Sequence, residues 1–453
     1  MSGKSKISLG REYRDWEKSL LQLCGLSIVG GTVRDLLLGI CDPVQDEDYL
    51  VTGIELDRLV GVLEGYGKTN MVGKSFGVIK FKQPEGGTVD ISLPRSEVST
   101  GPGHRDFSVS FDASLSIEDD LGRRDFTVNS MALRLNDNKL IDPLGGRADL
   151  ESRILRVNRE SSFEEDPLRI LRGVQFMARF GLKPDDMTLR LMTDNGDLLA
   201  SVSPERIREE LGKMIILSEK PSAGFRFMQK IGLLEILMPE LDRTFGVEQN
   251  EFHPDDIFEH SIKSCDSAEK EPAIRWSALL HDLGKVDMRQ VIDGRVVFYR
   301  HEEESAAIAE SILSRLRFPN GFIARVTHLI RNHMFHITEE WSDGAVRRFI
   351  SRVGADSLDD LYALRKADVL SRGDRELMDN LISTKKRTDA VLAIDASLKR
   401  DDLEIDGTDI MGILDIGPGP RVGEILDILL EKVLDDPELN CRERLVEIVE
   451  GMR

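Results

Sequence analysis

IVGGTVRDLLLGICDPVQDEDY, from Ile28 to Tyr49, is an apolar run that ends in Gly30-Gly31, an amphipathic turn of helix from near Thr32, and then two carboxylates, Asp46 and Asp48. A glycine pair at a strand-to-helix junction lets backbone N–H groups approach phosphate oxygens, and the helix N-terminus adds favourable partial charge. Arg34, just inside that helix, is placed to fork onto the same phosphates. Asp46 and Asp48 are two residues apart, so an extended segment turns both to one face, where paired carboxylates hold Mg²⁺. The stretch reads as a nucleoside triphosphate site on a strand–turn–helix unit. Either half alone is a common feature: GG as a tight turn, D-x-D as a solvated loop.

On the N-terminal side, residues 10–24 read as an amphipathic helix with Trp16, Leu20, Leu21 and Leu23 as its apolar positions. On the other side, Tyr49–Thr52, Val78–Lys82 and Thr88–Ser92 alternate as strands do, separated by glycine punctuation. Val89 and Ile91 share one face of TVDIS. Asp90 lies on the other, either as a third carboxylate beside Asp46 and Asp48 or as an exposed residue of an edge strand. From Arg95 to Asp125 the chain turns polar and reads as a loop, followed by Arg123-Arg124-Asp125-Phe126-Thr127-Val128-Asn129.

Glu165-Asp166-Pro167-Leu168-Arg169-Ile170-Leu171-Arg172 predicts a helix, with Pro167 in its first turn and Asp166 as its cap. At about 100° per residue, Asp166, Arg169 and Arg172 fall on one side and Leu168, Leu171, Val174 and Ala178 on the other. Spacing alone describes a helix with a charged solvent face. The chemistry allows more. A carboxylate accepts from an exocyclic amine while an arginine donates to a ring acceptor, and cytosine and adenine both present that pair. Ser203-Pro204-Glu205 marks a further capped helix start.

Seven of the eight histidines lie between His253 and His336. His281-Asp282 stands at their centre, preceded by His260, followed by His301, His328, His333 and His336, with Asp368 further on. Histidines and carboxylates on predicted helices suit a divalent, transition-type metal with open positions.

The 453 residues exceed one ordinary core, and 40% hydrophobic with 31% charged content describes a globular chain. No apolar run approaches the ~20 residues of a membrane span, and the N-terminal residues lack the apolar region of a signal peptide. Four scattered cysteines, without C-x-x-C spacing, argue against a zinc cluster or disulfide framework and point to a reducing cytoplasm. The net charge of −20 and 6% aromatic content weigh against broad nonspecific RNA binding.

G-G-x-V-R-D-x-L-L-G followed by D-x-D, then R-R-D-F-T-x-N at 123–129 and E-D-x-x-R at 165–169, resembles the polymerase β-like nucleotidyltransferases, in the branch of tRNA CCA-adding enzymes and bacterial poly(A) polymerases. The resemblance extends to a Lys74–Gly77 loop under the nucleotide and to tail stretches at 407–411 and 417–423 that grip tRNA. H…HD…D resembles the HD phosphohydrolases, mapped onto His260, His281, Asp282 and Asp368. The resemblance implies an α+β head, a mixed sheet with helices, over residues 1–150. An all-α neck with nucleobase-reading helices follows over 151–220, an HD body over 221–380 and a helical tail over 381–453. It implies Asp46, Asp48 and Asp90 as catalytic residues, with Asp46 and Asp48 holding Mg²⁺ and Asp90 helping on the attacking side. Gly30, Gly31, Arg34, Arg124, Asn129 and Arg172 would bind the nucleotide, and Asp166 and Arg169 would choose its base. The place where many relatives carry a further arginine holds Gln175. The implied partners are the tRNA 3′ end, ATP and CTP, with no membrane, in a monomer or homodimer. The implied activity is addition of CCA; the alternatives are a poly(A) polymerase, a CC- or A-adding partial enzyme, or a metal-dependent phosphohydrolase.

Overall fold

The computed structural model describes residues 9, 11–40, 47–72, 78–99, 107–111, 115–249, 254–335, 341–394 and 400–453. The chain parts into two compact units, Met1–Met214 with Ser218–Leu237, and Ile215–Leu217 with Met238–Arg453.

The first unit is built on β1 (Gly25–Val29), β2 (Asp48–Thr52), β3 (Lys68–Val72), β4 (Val78–Lys82), β5 (Thr88–Ser92), β6 (Arg95–Ser99), β7 (Phe107–Phe111), β8 (Ala132–Arg134) and β9 (Lys139–Ile141). Seven of them form one sheet in the order β3-β4-β5-β2-β1-β8-β9, mixed because β2 and β5 run parallel. The alternation of VIKFK fixes the faces of β4: Ile79 and Phe81 are buried, Lys80 and Lys82 exposed. Register then decides the site. Asp48 lies opposite Val29 on one side and Asp90 on the other, so both carboxylates sit beside the end of β1. There the chain turns through Gly30 at φ +72°, a backbone state that glycine adopts without a Cβ penalty, into the helix Gly31–Leu38.

Two local expectations are corrected. The leading helix spans only Asp15–Leu21, so Leu23 lies beyond its end and is exposed, while Trp16, Glu17 and Leu20 are buried. The polar stretch read as a loop holds the antiparallel pair β6–β7 and the helix Ile117–Gly122. The alternation of FSVSF is short but has period two, and Ser116 caps the helix by accepting from Asp119 N–H at 3.2 Å.

The sheet is followed by the helices Leu168–Phe180, Asp186–Asp194, Pro204–Leu217 and Ser222–Lys230. Leu168, Leu171 and Val174 are buried as the periodicity requires, Ala178 only half-buried, and Gln175 is buried among them. The Leu168–Phe180 helix ends on Gly181 at φ +66°.

Among the described residues, the second unit is helical apart from the ribbon Gln290–Ile292 with Arg295–Val297. Its helices include Ile257–Ser267, Pro272–Leu280, His301–Arg315, Asn320–Asn332 and Leu358–Arg372. Nearer the C-terminus, Ile410, Ile425, Leu429, Val433, Leu445 and Val449 form a separate core. Asp409 there pairs with Arg442. Among the described residues, no helix is long and apolar enough to cross a membrane.

Candidate active site

Gly30, Asp48, Asp90 and Arg124 converge at one end of the sheet. A Cβ placed on Gly30 would lie 2.7 Å from Arg124 Nη1 and 3.9 Å from Asp48 Oδ2, so the guanidinium and the carboxylate bracket the strand-to-helix turn. Asp48 is exposed, and Asp90 is part-exposed with Lys80 Nζ 3.5 Å away. Two adjacent carboxylates open to solvent at one end of the sheet fit a hard divalent cation. Asp46 and the Lys74–Gly77 stretch lie outside the described residues.

Behind this end runs a continuous polar network. Arg34 is buried and donates through Nη1 to Asn129 Oδ1 at 2.7 Å and through Nε to Asp35 at 2.8 Å. Its guanidinium lies 4.3 Å from the ring centroid of Phe180 and 5.1 Å from that of Phe176. Burial holds its pKa below the ordinary arginine value, against the pull of Asp35. Asn129 Nδ2 donates to Asp125 Oδ1 at 3.0 Å, and Asp125 Oδ2 accepts from Arg172 Nε at 2.9 Å. Arg34, Asn129 and Arg172 are thereby linked through Asp125, from the helix after the glycine turn to the Leu168–Phe180 helix. Asp125, the hub, was not among the expected site residues; its i, i+4 spacing to Asn129 within RRDFTVN is the signal that would have found it. Its burial opposes ionisation, but the Arg172 charge and the Asn129 and Phe126 donors hold its carboxyl below the usual range.

Asp166 and Arg169 sit at the start of that helix, each held by another partner. Arg206 Nη2 donates to both Asp166 oxygens, at 3.1 and 2.9 Å. Arg169 donates to Ser162 Oγ at 2.7 Å and to the Arg123 carbonyl at 3.3 Å. Both remain partly exposed.

The second unit gathers His260, His281, Asp282 and Asp368 into one buried cluster and adds His301 and His333. His260 Nε2 lies 3.3 Å from His281 Nε2, 3.3 Å from Asp282 Oδ2 and 3.2 Å from Asp368 Oδ1. His301 Nε2 and His333 Nε2 lie 3.2 and 3.7 Å from Asp282 Oδ1. The Nδ1 atoms of His281, His301 and His333 face the carbonyls of Ala278, Phe298 and Ile330 at 2.8, 2.8 and 2.7 Å. Each Nδ1–H donates there, which leaves the Nε2 lone pairs turned inward as metal ligands require. Burial also pushes His333 down to about 4, keeping it neutral. Although 3.2 Å from Asp282 Oδ1, the buried His301 Nε2 makes no hydrogen bond of acceptable geometry. His328 is elsewhere, 2.7 Å from the Val353 carbonyl. Around the cluster, Lys285 Nζ donates to Asp282 at 2.6 Å, and Arg365 and Arg372 donate to Asp368, each at 2.6 Å. His301 and His333 belong to the histidine concentration in the sequence, but which histidines converge depends on how the helices pack.

Three family models match: the poly A polymerase head domain over residues 26–156, a probable RNA and SrmB-binding site of polymerase A over 181–245, and tRNA nucleotidyltransferase domain 2 over 296–449. A multifunctional CCA protein of Xanthomonas campestris is 36% identical over 338 residues, covering 72% of this chain and 79% of that protein. The A-adding tRNA nucleotidyltransferase of Deinococcus radiodurans is 32% identical, covering 90% of this chain and 91% of its own. The Bacillus stearothermophilus CCA-adding enzyme, solved with CTP, superposes with a TM-score of 0.69 at 22% identity, over 97% of this chain and 98% of that one, and shares the fold.

Proposed function

This chain belongs to the family of tRNA nucleotidyltransferases and poly(A) polymerases, and on that premise we propose that it adds C, C and A from CTP and ATP to tRNA 3′ ends, releasing pyrophosphate. One observation carries the reading: Asp48 and Asp90 lie side by side at the Gly30 turn with Arg124 against it, while Asp125, next to Arg124 in the chain, pairs with Arg172 on the helix at whose start Asp166 and Arg169 lie.

Asp46, Asp48 and Asp90 would hold Mg²⁺. Mg²⁺ held there would supply charge that offsets the phosphates and favours the ionised 3′-hydroxyl. The triphosphate lies against the backbone of Gly30 and Gly31 under Arg124, with Arg172 on its other flank. Arg34 and Asn129 act as a bonded pair beneath it. Asp166 accepts from the exocyclic amine of cytosine or adenine while Arg169 donates to the neighbouring acceptor; uracil and guanine reverse that pattern and are rejected. Arg206 holds Asp166 in place by donating to both of its oxygens. The tRNA supplies the attacking hydroxyl, in the cytoplasm.

The test uses a tRNA transcript lacking its 3′ CCA, with Mg²⁺ and CTP, ATP or both, read at single-nucleotide resolution. Growth by two with CTP and by three with both, then a stop, supports the proposal. Long adenosine ladders on unrelated RNA overturn it in favour of poly(A) synthesis. Addition of one A only to ends already bearing CC favours a second reading, an A-adding enzyme, which the long alignment to the Deinococcus relative supports.

The cluster of His260, His281, Asp282, Asp368, His301 and His333 fits a transition-metal ion, and its chemistry there would be Lewis-acid assistance to water attacking a phosphate ester. Release of nitrophenol from bis-nitrophenyl phosphate on addition of Mn²⁺ or Ni²⁺, lost in His281→Ala, is the expected result; no release with any metal refutes it.

A further inference from the structure

Asp46-Glu47-Asp48 places three carboxylates in succession, so charge alone does not say which of them a strand presents to the site. Strand side chains alternate, and a slip of one residue would exchange Glu47 for its neighbours. Glu47 is buried at 1% exposure, and what buries it is ionic. Arg11 donates to it through Nε at 3.2 Å and Nη2 at 2.9 Å, and Arg14 Nη1 donates from the other side. Glu17, fully buried on the leading helix, accepts from the same Arg11 at 2.7 and 2.9 Å and from Arg14 N–H at 2.6 Å. The Tyr49 hydroxyl sits among them, 2.6 Å from Glu17 Oε1 and 2.7 Å from Glu47 Oε2. Two guanidinium groups match two carboxylates, so the cluster is neutral as a whole.

This network covers the face of β2 opposite Asp48. Trp16 packs edge-on against Tyr49 and Phe81 beside it, with ring centroids 5.0 and 5.4 Å apart. Those rings alone would bury the helix at that face. Aromatic packing tolerates sliding along the strand, whereas a doubly gripped carboxylate does not.

We infer that Arg11, Arg14, Glu17 and Tyr49 are positioning residues for nucleotidyl transfer: by holding Glu47 they fix the phase of β2, so that Asp48 faces Gly30 and Asp90. The inference rests on the reading of Asp48 as a metal-binding residue.

The test measures single-turnover CMP addition across a Mg²⁺ titration, normalised to active sites by burst amplitude, with thermal melting alongside. Glu47→Gln keeps the shape and removes the charge. Its half-saturating Mg²⁺ rises and its rate per active site falls, each by about tenfold, the usual effect of disturbing a partner that orients a metal ligand. The KM for CTP and the preference for C over U stay unchanged. Arg14→Lys retains part of what Arg14→Met loses. If Glu47→Gln does not fold, Tyr49→Phe, which removes one hydroxyl, is read in the same way. A lowered melting temperature with an unchanged Mg²⁺ curve per active site overturns the inference, since the cluster would then only stabilise the fold. Asp48→Asn separates the two readings: if it remains active, the assignment of Asp48 fails, whereas an inactive Asp48→Asn beside a normal Glu47→Gln refutes the clamp alone.

Discussion

Asp125→Asn removes one negative charge and leaves the shape of the site intact. Asp125 is 6% exposed and accepts from Arg172 Nε at 2.9 Å, Asn129 Nδ2 at 3.0 Å and Phe126 N–H at 2.8 Å. The amide keeps one acceptor, but its NH₂ group meets donors on Arg172 or Asn129. Breaking a buried ion pair from one side costs roughly 3–5 kcal/mol. The Arg172 side chain is 37% exposed and reaches water when abandoned, which brings the cost below that range, to about 2 kcal/mol. For a unit of this size, each kcal/mol moves the melting temperature by roughly 2–4 °C, so the first unit should melt about 4–8 °C lower at pH 7.

The pH dependence has a definite sign. The folded pKa of Asp125 is depressed below its unfolded value of about 3.9, so its stabilisation is complete above that pH and is lost as pH falls through the folded value. Protonated aspartic acid and asparagine are both neutral, so the two proteins should converge in stability at the acid end. In a double-mutant cycle, Asp125→Asn should cost less by at least about 1 kcal/mol when Arg172 is already Met. Differential scanning calorimetry between pH 3 and pH 7 checks all three points. Equal melting temperatures at pH 7, or a gap that persists undiminished in acid, would refute the role given to this carboxylate.

Gly30→Ala places a Cβ 2.7 Å from Arg124 Nη1 at a positive-φ position, and should lower the nucleotide-addition rate by about tenfold or more while the KM for tRNA is kept; a wild-type rate constant contradicts it. Gly284→Ala drives a methyl group to 2.5 Å from Ser305 N and 2.7 Å from the His301 carbonyl, an overpacking cost of about 1–3 kcal/mol. Bound Mn²⁺ or Ni²⁺, measured by elemental analysis, should fall while CCA addition continues, and undiminished metal content counts against the His301 assignment. Asp166→Ala should raise misincorporation of U about tenfold or more in single-nucleotide assays, because one bond that distinguishes C from U is gone. Unchanged selectivity would remove Asp166 from base choice.

The sequence by itself determined which elements exist and which faces they bury, wherever the period was long enough to be unambiguous. VIKFK and TVDIS became strands with the faces their alternation specified, and Leu168, Leu171 and Val174 marked the buried side of the Leu168–Phe180 helix. Gly30-Gly31 and the R-R-D-F-T-x-N run likewise identified the family, because those residues meet local demands of backbone and charge that few other arrangements satisfy. Only the tertiary structure decided what lies beside what. That Asp48 neighbours Asp90 rather than some other strand follows from the parallel pairing of β2 with β5, and parallel pairing is set by long-range topology. Glu47 shows the same limit: its neighbours in the sequence describe an acidic loop, and its burial depends on two arginines more than thirty residues away. His301 and His333 joined the buried histidine–aspartate cluster while His328 did not, because helix packing, and not histidine spacing, sets which rings point inward. Local periodicity is written in the chain; the meeting of distant charged groups exists only after the entropy of closing the intervening loops has been overcome by the packing of the whole unit.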